Sequence, residues 1–275
     1  LVELDTLLNI DGKGQVVAVD VCEDNIQSYG SPKRWFESRD RGESWQEVDS
    51  TVAIRCGLRL ANGDLLYFPM VSGTILEGYR VTPQNLLTPG YDFSRRAEEG
   101  TLPIPDGMCC WLDGTVIRAF RPERLPESLS KTEWLAFRVP AGTTEPVEEH
   151  VALDWPYLTR VVHEHDGVLT LKSLFPRGNP RIGPDGAIWV TVLSGEGHIN
   201  PETGLYSPYY SAELFRSDDD GHTFRLHSHM EYEADGKRYP YRSGGFSDSD
   251  IEFMPDGSMV WFLRTAWYCS TGEAS

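Results

Sequence analysis

Long apolar runs are missing from this sequence. Even MVWFL at Met259 to Leu263 falls far short of the ~20 residues a bilayer-spanning helix needs, so no membrane span is expected. Positive charge is scarce as well. Lys and Arg number 25 against 42 Asp and Glu, a formal charge of −17 with no basic run, which argues against nucleic acid as a partner. Cysteine is sparse and unpatterned. Cys22, Cys56, Cys109, Cys110 and Cys269 are odd in number and lack C-x-x-C spacing. They are expected to be buried thiols rather than a disulfide framework or zinc site, and no metal or cofactor is expected. Helical periodicity is lacking too, with no heptads and no long run of apolar residues at i, i+3, i+4 and i+7. Nor is there a G-x-S-x-G, P-loop or HExxH pattern.

What is present belongs to strands and turns: 26 Gly, 18 Pro and eight Trp in 275 residues. A unit of apolar strand, tight turn and second apolar strand recurs. Its turns fall at Asp11-Gly12, Asn62-Gly63, Asp113-Gly114, Asp166-Gly167, Asp185-Gly186 and Asp256-Gly257. Asp-Gly and Asn-Gly favour two-residue hairpins because both central residues take positive φ. The first three glycines are 51 residues apart and the fourth is 53 further on, a period that suits one four-stranded propeller blade. Two gaps are irregular, 19 residues before Gly186 and 71 after it, so residues 160–174 are read as an outer hairpin or a reduced blade. The expected fold is all-β, a six-bladed β-propeller forming one domain over residues 1–275. Its last blade is written only as far as the inner hairpin, and the natural chain is expected to continue past Ser275. The chain opens at Leu1 without a signal-peptide pattern, which leaves localisation open; a removed leader would favour export.

Two short stretches echo each other: S-R-D-R-G-E-S-W at Ser38 to Trp45 and S-D-D-D-G-H-T-F at Ser217 to Phe224. Each lies between two outer strands, which places it in a hairpin turn. Asp40 and Asp219 would accept backbone N–H bonds there, Gly42 and Gly221 would supply positive φ, and Trp45 and Phe224 would anchor the turn.

The pattern S-x-D-x-G-x-[ST]-[WF] resembles the Asp-box of sialidases and sialidase-like β-propellers. Ser247 to Arg264 resembles the sialidase segment that runs from a carboxylate through a hairpin to a substrate-binding Arg. Where sialidases usually carry Glu at its start, this chain has Asp248 or Asp250, and the strand VELDTLLNI lacks the family's opening Arg. The resemblance also implies a catalytic Asp in the loop before the first Asp-box, where Asp20 and Asp24 lie and Asp24 is nearer the family spacing. It implies a Tyr nucleophile in a late blade.

Hairpin geometry gives further candidates. Residues equidistant from a two-residue turn lie opposite each other. This places Asp250 opposite Leu263, Asp248 opposite Thr265, Asp106 opposite Arg121, and Arg177 opposite Ser194 near Glu196. Arg55, Arg160 and Arg264 take the open ends of their hairpins, and Arg181 opens the strand before Asp185-Gly186. Together these make an expected ring of Arg with interspersed carboxylates on one rim. Arg264, Arg55, Arg177, Arg121 and Arg181 would bind an anionic group, because the guanidinium fork matches a carboxylate and keeps its charge. Asp248, Asp250 or Asp24 would handle protons. Trp155, Trp267 and Tyr268 are candidate sugar-stacking residues, and His163 and His165 share one face of a strand. The expected activity is exo-sialidase-type hydrolysis of a terminal acidic sugar. Two alternatives stand beside it: a non-catalytic propeller that binds glycan or protein, and an enzyme directed at uronic acids.

Overall fold

The computed structural model describes residues 19–21, 34–37, 43–44, 46–48, 57–68, 73–82, 92, 94–111, 113–143, 145–156, 158–174, 176, 180–193, 198–199, 204, 206–207, 209–230 and 243–268. Among the described residues strand predominates and helix is confined to two three-residue 3-10 turns, so the chain is all-β. The first strands are β1 (Val19–Val21), β2 (Arg34–Glu37), β3 (Gln46–Val48), β4 (Gly57–Arg59), β5 (Leu65–Tyr67), β6 (Thr74–Ile75), β7 (Arg80–Val81) and β8 (Thr101–Leu102). Next come β9 (Gly107–Cys110), β10 (Val116–Phe120), β11 (Glu133–Val139), β12 (Val147–Asp154), β13 (Arg160–His165), β14 (Val168–Leu171) and β15 (Arg181–Ile182). The last are β16 (Ile188–Leu193), β17 (His198–Ile199), β18 (Tyr206–Ser207), β19 (Ala212–Ser217), β20 (Thr223–Met230), β21 (Ser243–Phe253) and β22 (Met259–Tyr268). Among the described residues no helix is long and apolar enough to cross a membrane.

Two antiparallel four-stranded meanders, β4-β5-β11-β12 and β15-β16-β19-β20, join through their last strands into one eight-stranded sheet. The joint is a short parallel pairing, Ala152 with Thr223, Leu153 with Phe224 and Asp154 with Arg225. A five-stranded sheet, β6-β14-β13-β10-β9, holds the next hairpins. Here the structure departs from the sequential blades expected from the Gly spacing. The hairpin β4–β5 skips β9–β10 to pair with β11, while β9–β10 pairs with β13. Side-chain faces decide this. In β11 exposure alternates strictly, burying Trp134, Ala136 and Arg138, so one face must cover an apolar partner, and β5 supplies Leu66. A longer intervening loop costs little, because closure entropy grows only with the logarithm of length. Residues 160–174 carry the hairpin β13–β14, which lies between β10 and β6 in the second sheet.

The largest core lies on one face of the eight-stranded sheet. Trp134 is fully buried at its centre, edge-on to Phe215 at 5.1 Å and to Phe68 at 5.7 Å, and tilted against Phe224 at 5.3 Å. Truncating such a side chain to Ala costs about 3–5 kcal/mol. Trp155 belongs to this core, edge-on to Phe215 at 5.1 Å, so it is not the rim-stacking residue expected of it. The opposite face of β16 and β19 presents Trp189 and Leu214, which pack against Ile251, Phe253, Met259 and Trp261 of β21–β22.

Turn geometry corrects the hairpin registers. Among the described Asp-Gly and Asn-Gly turns only Asp166-Gly167 is a two-residue turn, with His165 opposite Val168 and φ of 49° and 77° at the two central residues. At the other four described turns the loop has three residues, and among its described residues only Gly takes positive φ. Leu60 pairs with Asp64, Trp111 with Thr115, Gly183 with Ala187, and Met254 with Ser258, at 2.7–2.8 Å. This is a type I turn closed by a left-handed Gly. The Asp or Asn side chain stabilises it by accepting the N–H two residues on, as Asp256 does from Ser258 at 2.9 Å. Pairings therefore slip by one residue from those expected.

Two cysteines depart from expectation too, while Cys22, Cys56 and Cys269 lie outside the described residues. Cys110 is exposed because it shares the outward face of β9 with Met108, and Cys109 is half-buried with its Sγ 3.4 Å from the Tyr206 hydroxyl.

Candidate functional site

The strand β21 alternates cleanly. Ile251 and Phe253 face the core against Trp189, while Asp250 and Glu252 face away from it. With the corrected register Asp248 lies directly opposite Arg264 rather than beside it, and Asp250 lies opposite Phe262. The register shifts between Phe246 and Asp248, just after Gly245, which takes φ 122°. A Cβ at Gly245 would overlap the Tyr210 carbonyl, so only Gly allows the bridge by which Tyr210 pairs with this strand. Thr191 fixes the hairpin laterally by donating to the Ser249 carbonyl at 2.9 Å.

Arg181 reaches this row from β15. Its guanidinium lies 3.3 Å from Asp250 and 3.7 Å from Glu252. Asp250 also accepts the Ile251 N–H at 2.9 Å, which orients its carboxylate. Arg181, Asp248, Asp250 and Arg264 are thus brought to one hairpin and its neighbour. Glu252 joins them, a residue that sequence reasoning passed over. Its signal was the period-2 alternation from Asp248 through Asp250. On the same outward face Phe262 is 59% and Val260 37% exposed, so carboxylates and apolar surface lie side by side.

Asp24, Arg55 and Arg177 lie outside the described residues, as do Glu196 and the first copy of the repeated turn with Ser38, Asp40, Gly42 and Trp45. Arg121 does meet Asp106, at 3.0 Å, but the slipped register leaves them no longer directly opposite. Arg124 binds the same carboxylate at 2.6 Å and the Ile104 carbonyl at 2.8 Å, a buried structural pairing. His163 packs edge-on against Trp111 at 5.3 Å, and His165 Nδ1 lies 2.9 Å from the Thr115 hydroxyl. Among the described residues no group of three or more His, Cys, Asp or Glu could hold a metal ion.

The second copy of the turn is a fastener. Asp219 accepts from the Thr223 amide at 2.9 Å, the Thr223 hydroxyl at 2.7 Å and the Ser217 hydroxyl at 2.8 Å. Ser217 Oγ in turn accepts the Gly221 N–H at 3.0 Å. Burial pushes the Asp219 carboxyl up, and the bonds from Thr223 and Ser217 outweigh it, leaving the group below its ordinary range. Phe224 is buried in the main core, and Arg138 of β11 donates to the Asp220 carbonyl at 2.9 Å, tying the turn to the other meander.

A further polar group was not anticipated. Glu213 is fully buried and accepts from the Ser211 hydroxyl at 2.8 Å, with His229 Nδ1 at 3.1 Å.

No protein-family model matches the chain, and no curated protein matches it. Among solved structures it is similar to a protein of unknown function from Dyadobacter fermentans DSM 18053. That match has 16% identity over 96% of this chain and 62% of the other, with a TM-score of 0.38. It is also similar to YCF48 bound to a D1 peptide, with 15% identity over 86% of this chain and 70% of that one and a TM-score of 0.22. The chain spans 62% of the length of the first of these proteins.

Proposed function

We propose that the chain is an Asp-box β-propeller of the sialidase kind that hydrolyses a terminal acidic sugar, with the β21–β22 hairpin as the centre of its chemistry. The observation that carries this is the ion pair of Asp250 with Arg181 at 3.3 Å, two residues along β21 from the backbone pairing of Asp248 with Arg264. The bonded geometry of the Ser217 to Phe224 turn supports the architectural half of the proposal. In the free protein Asp250 and Glu252 keep Arg181 in position. A substrate carboxylate would exchange with them on the guanidinium fork. Asp248 and Asp250 are alternate residues on one strand, roughly 6.5–7 Å apart along it. One of them would protonate the departing oxygen as a Tyr, the nucleophile the family resemblance implies, attacks the anomeric carbon. Water would then release the sugar from that Tyr.

The test is turnover of fluorogenic sialosides and uronides by the full chain and by Asp250→Asn and Arg264→Ala. Expected are turnover by the parent, a fall of about 100-fold or more in kcat for Asp250→Asn, and a raised KM for Arg264→Ala. No turnover of any acidic glycoside by the parent would sink the enzyme reading.

The exposed Phe262 and Val260 favour a second reading, in which the same face binds glycan or protein without chemistry. Glycan-array binding that persists without turnover and is lost in Phe262→Ala would select it.

A further inference from the structure

Three arginines are buried among the described residues: Arg124, Arg138 and Arg160. The first two are neutralised, Arg124 by Asp106 at 2.6 Å and Arg138 by Glu149 at 2.8 Å. Arg160 is only 8% exposed, and its enclosed Nε has no hydrogen-bond acceptor. No carboxylate among the described residues lies within ion-pair distance of it. Burial lowers its pKa to about 10, which still leaves the guanidinium charged at neutral pH. A buried charge without a counter-charge costs several kcal/mol, and folded proteins pair such groups or bind something there.

The surroundings explain how the cation is covered. Arg160 opens β13, opposite Phe120, which is fully buried at the end of β10. The preceding Thr159 accepts the Ile199 N–H at 2.9 Å, which docks β17 on this end of the sheet. The paired strand β18 sits over β9, where a Cβ on Gly107 would overlap the Tyr206 ring. A short two-stranded ribbon therefore lies across the sheet end at which Arg160 stands. The nearby Asp106 is already shared by Arg121 and Arg124.

We propose that Arg160 is an anion site that takes the carboxylate group of a small organic acid. A single buried positive charge is balanced by a monoanion, whereas a dianion such as sulfate would leave net negative charge among apolar groups. A planar carboxylate also accepts two parallel N–H bonds from the guanidinium edge. The site uses none of the residues of the β21–β22 cluster and stands whether or not that cluster is catalytic.

The experiment is a titration of the full chain with acetate, and in parallel with sulfate, at ionic strength held constant with chloride. Arg Nε–H resonances and the melting temperature are the readouts. One Nε–H resonance, missing from the spectrum of Arg160→Leu, should shift saturably with acetate, and the melting temperature should rise with it. Arg160→Leu should melt higher than the parent without acetate and ignore it. Arg160→Lys, which keeps the charge but loses the fork, should weaken the acetate response about tenfold. An acetate response equal to that of chloride, an equal response to sulfate, or one that survives in Arg160→Leu would overturn the proposal. Should Arg160→Leu fail to fold, the parent titration and Arg160→Lys decide alone.

Discussion

Replacing Gly221 by Ala should separate two costs that the repeated turn imposes. Gly221 has φ +84°, and a Cβ there would overlap Leu66 Cδ2, which belongs to the fully buried core and has nowhere to move. The left-handed backbone costs about 1–2 kcal/mol for a non-Gly residue. Reduced freedom of the unfolded chain returns about 0.4–1 kcal/mol, and overpacking the core adds about 1–3 kcal/mol. The expected loss is about 2–4 kcal/mol, read from the urea midpoint at unchanged slope. Gly114→Ala is the control: its φ is +88°, but a Cβ would meet nothing within 4 Å, so only the backbone cost of about 1 kcal/mol should appear. Shortening Leu66 to Ala in the Gly221→Ala background should cost less than in the parent, by a coupling of about 1–2 kcal/mol. If the two glycine variants lose the same stability, or if Leu66 shows no coupling, the turn does not pack against β5 as described and the reasoning fails.

Two other outcomes are expected. Burial, followed by repulsion from Lys172, lowers the His163 pKa from 6.5 to about 4, against a weaker pull from Asp113. The unfolded chain therefore binds the extra proton first, and stability present above pH 6.5 is lost as pH falls towards 4, by about 1–2 kcal/mol after allowance for partial exposure. Urea titrations across that window check this, and His163→Gln should flatten the profile there; an unchanged profile would contradict it. Carboxylates held below their ordinary values, Glu99, Asp113, Asp219 and Asp256 among them, add to the loss in the lower part of this window, so the comparison with His163→Gln isolates the imidazole. Arg138→Leu should cost about 2–4 kcal/mol, because Glu149 loses a 2.8 Å partner and Asp220 a 2.9 Å donor. Adding Glu149→Leu should restore much of it, as denaturation of the double variant would measure.

The strands and their turns were legible because Gly and Asp mark each hairpin and apolar residues run between them. The turn type was not, since Asp-Gly suits both a two-residue loop and a three-residue loop ending in Gly. A clue was present in two of them: Pro184 and Pro255 precede the Asp-Gly pair, and a fixed φ near −65° fits the first turn of a type I loop. Missing that clue displaced Arg264 by one position from Asp248. The pairing of β5 with β11 was hidden for a different reason. Chain order suggested neighbours, whereas the alternation around Trp134 and Ala136 chose them. Arg160 was visible as the end of a hairpin, but its isolation from carboxylates is a property of three dimensions and leaves no mark on spacing.

The splice between β12 and β20 bears on how the chain is made. A nascent chain that has just released β4 and β5 has no strand to complete them until β11 follows, after β6 to β10. Once β12 emerges, its outer edge stays open until Thr223 to Arg225 leave the ribosome. Vectorial synthesis thus yields local hairpins early and sheet closure late, with unpaired edges exposed throughout. Folding should therefore show a fast local phase and a slow, cooperative one. The two meanders, sharing a seam, should close and open together rather than as independent halves.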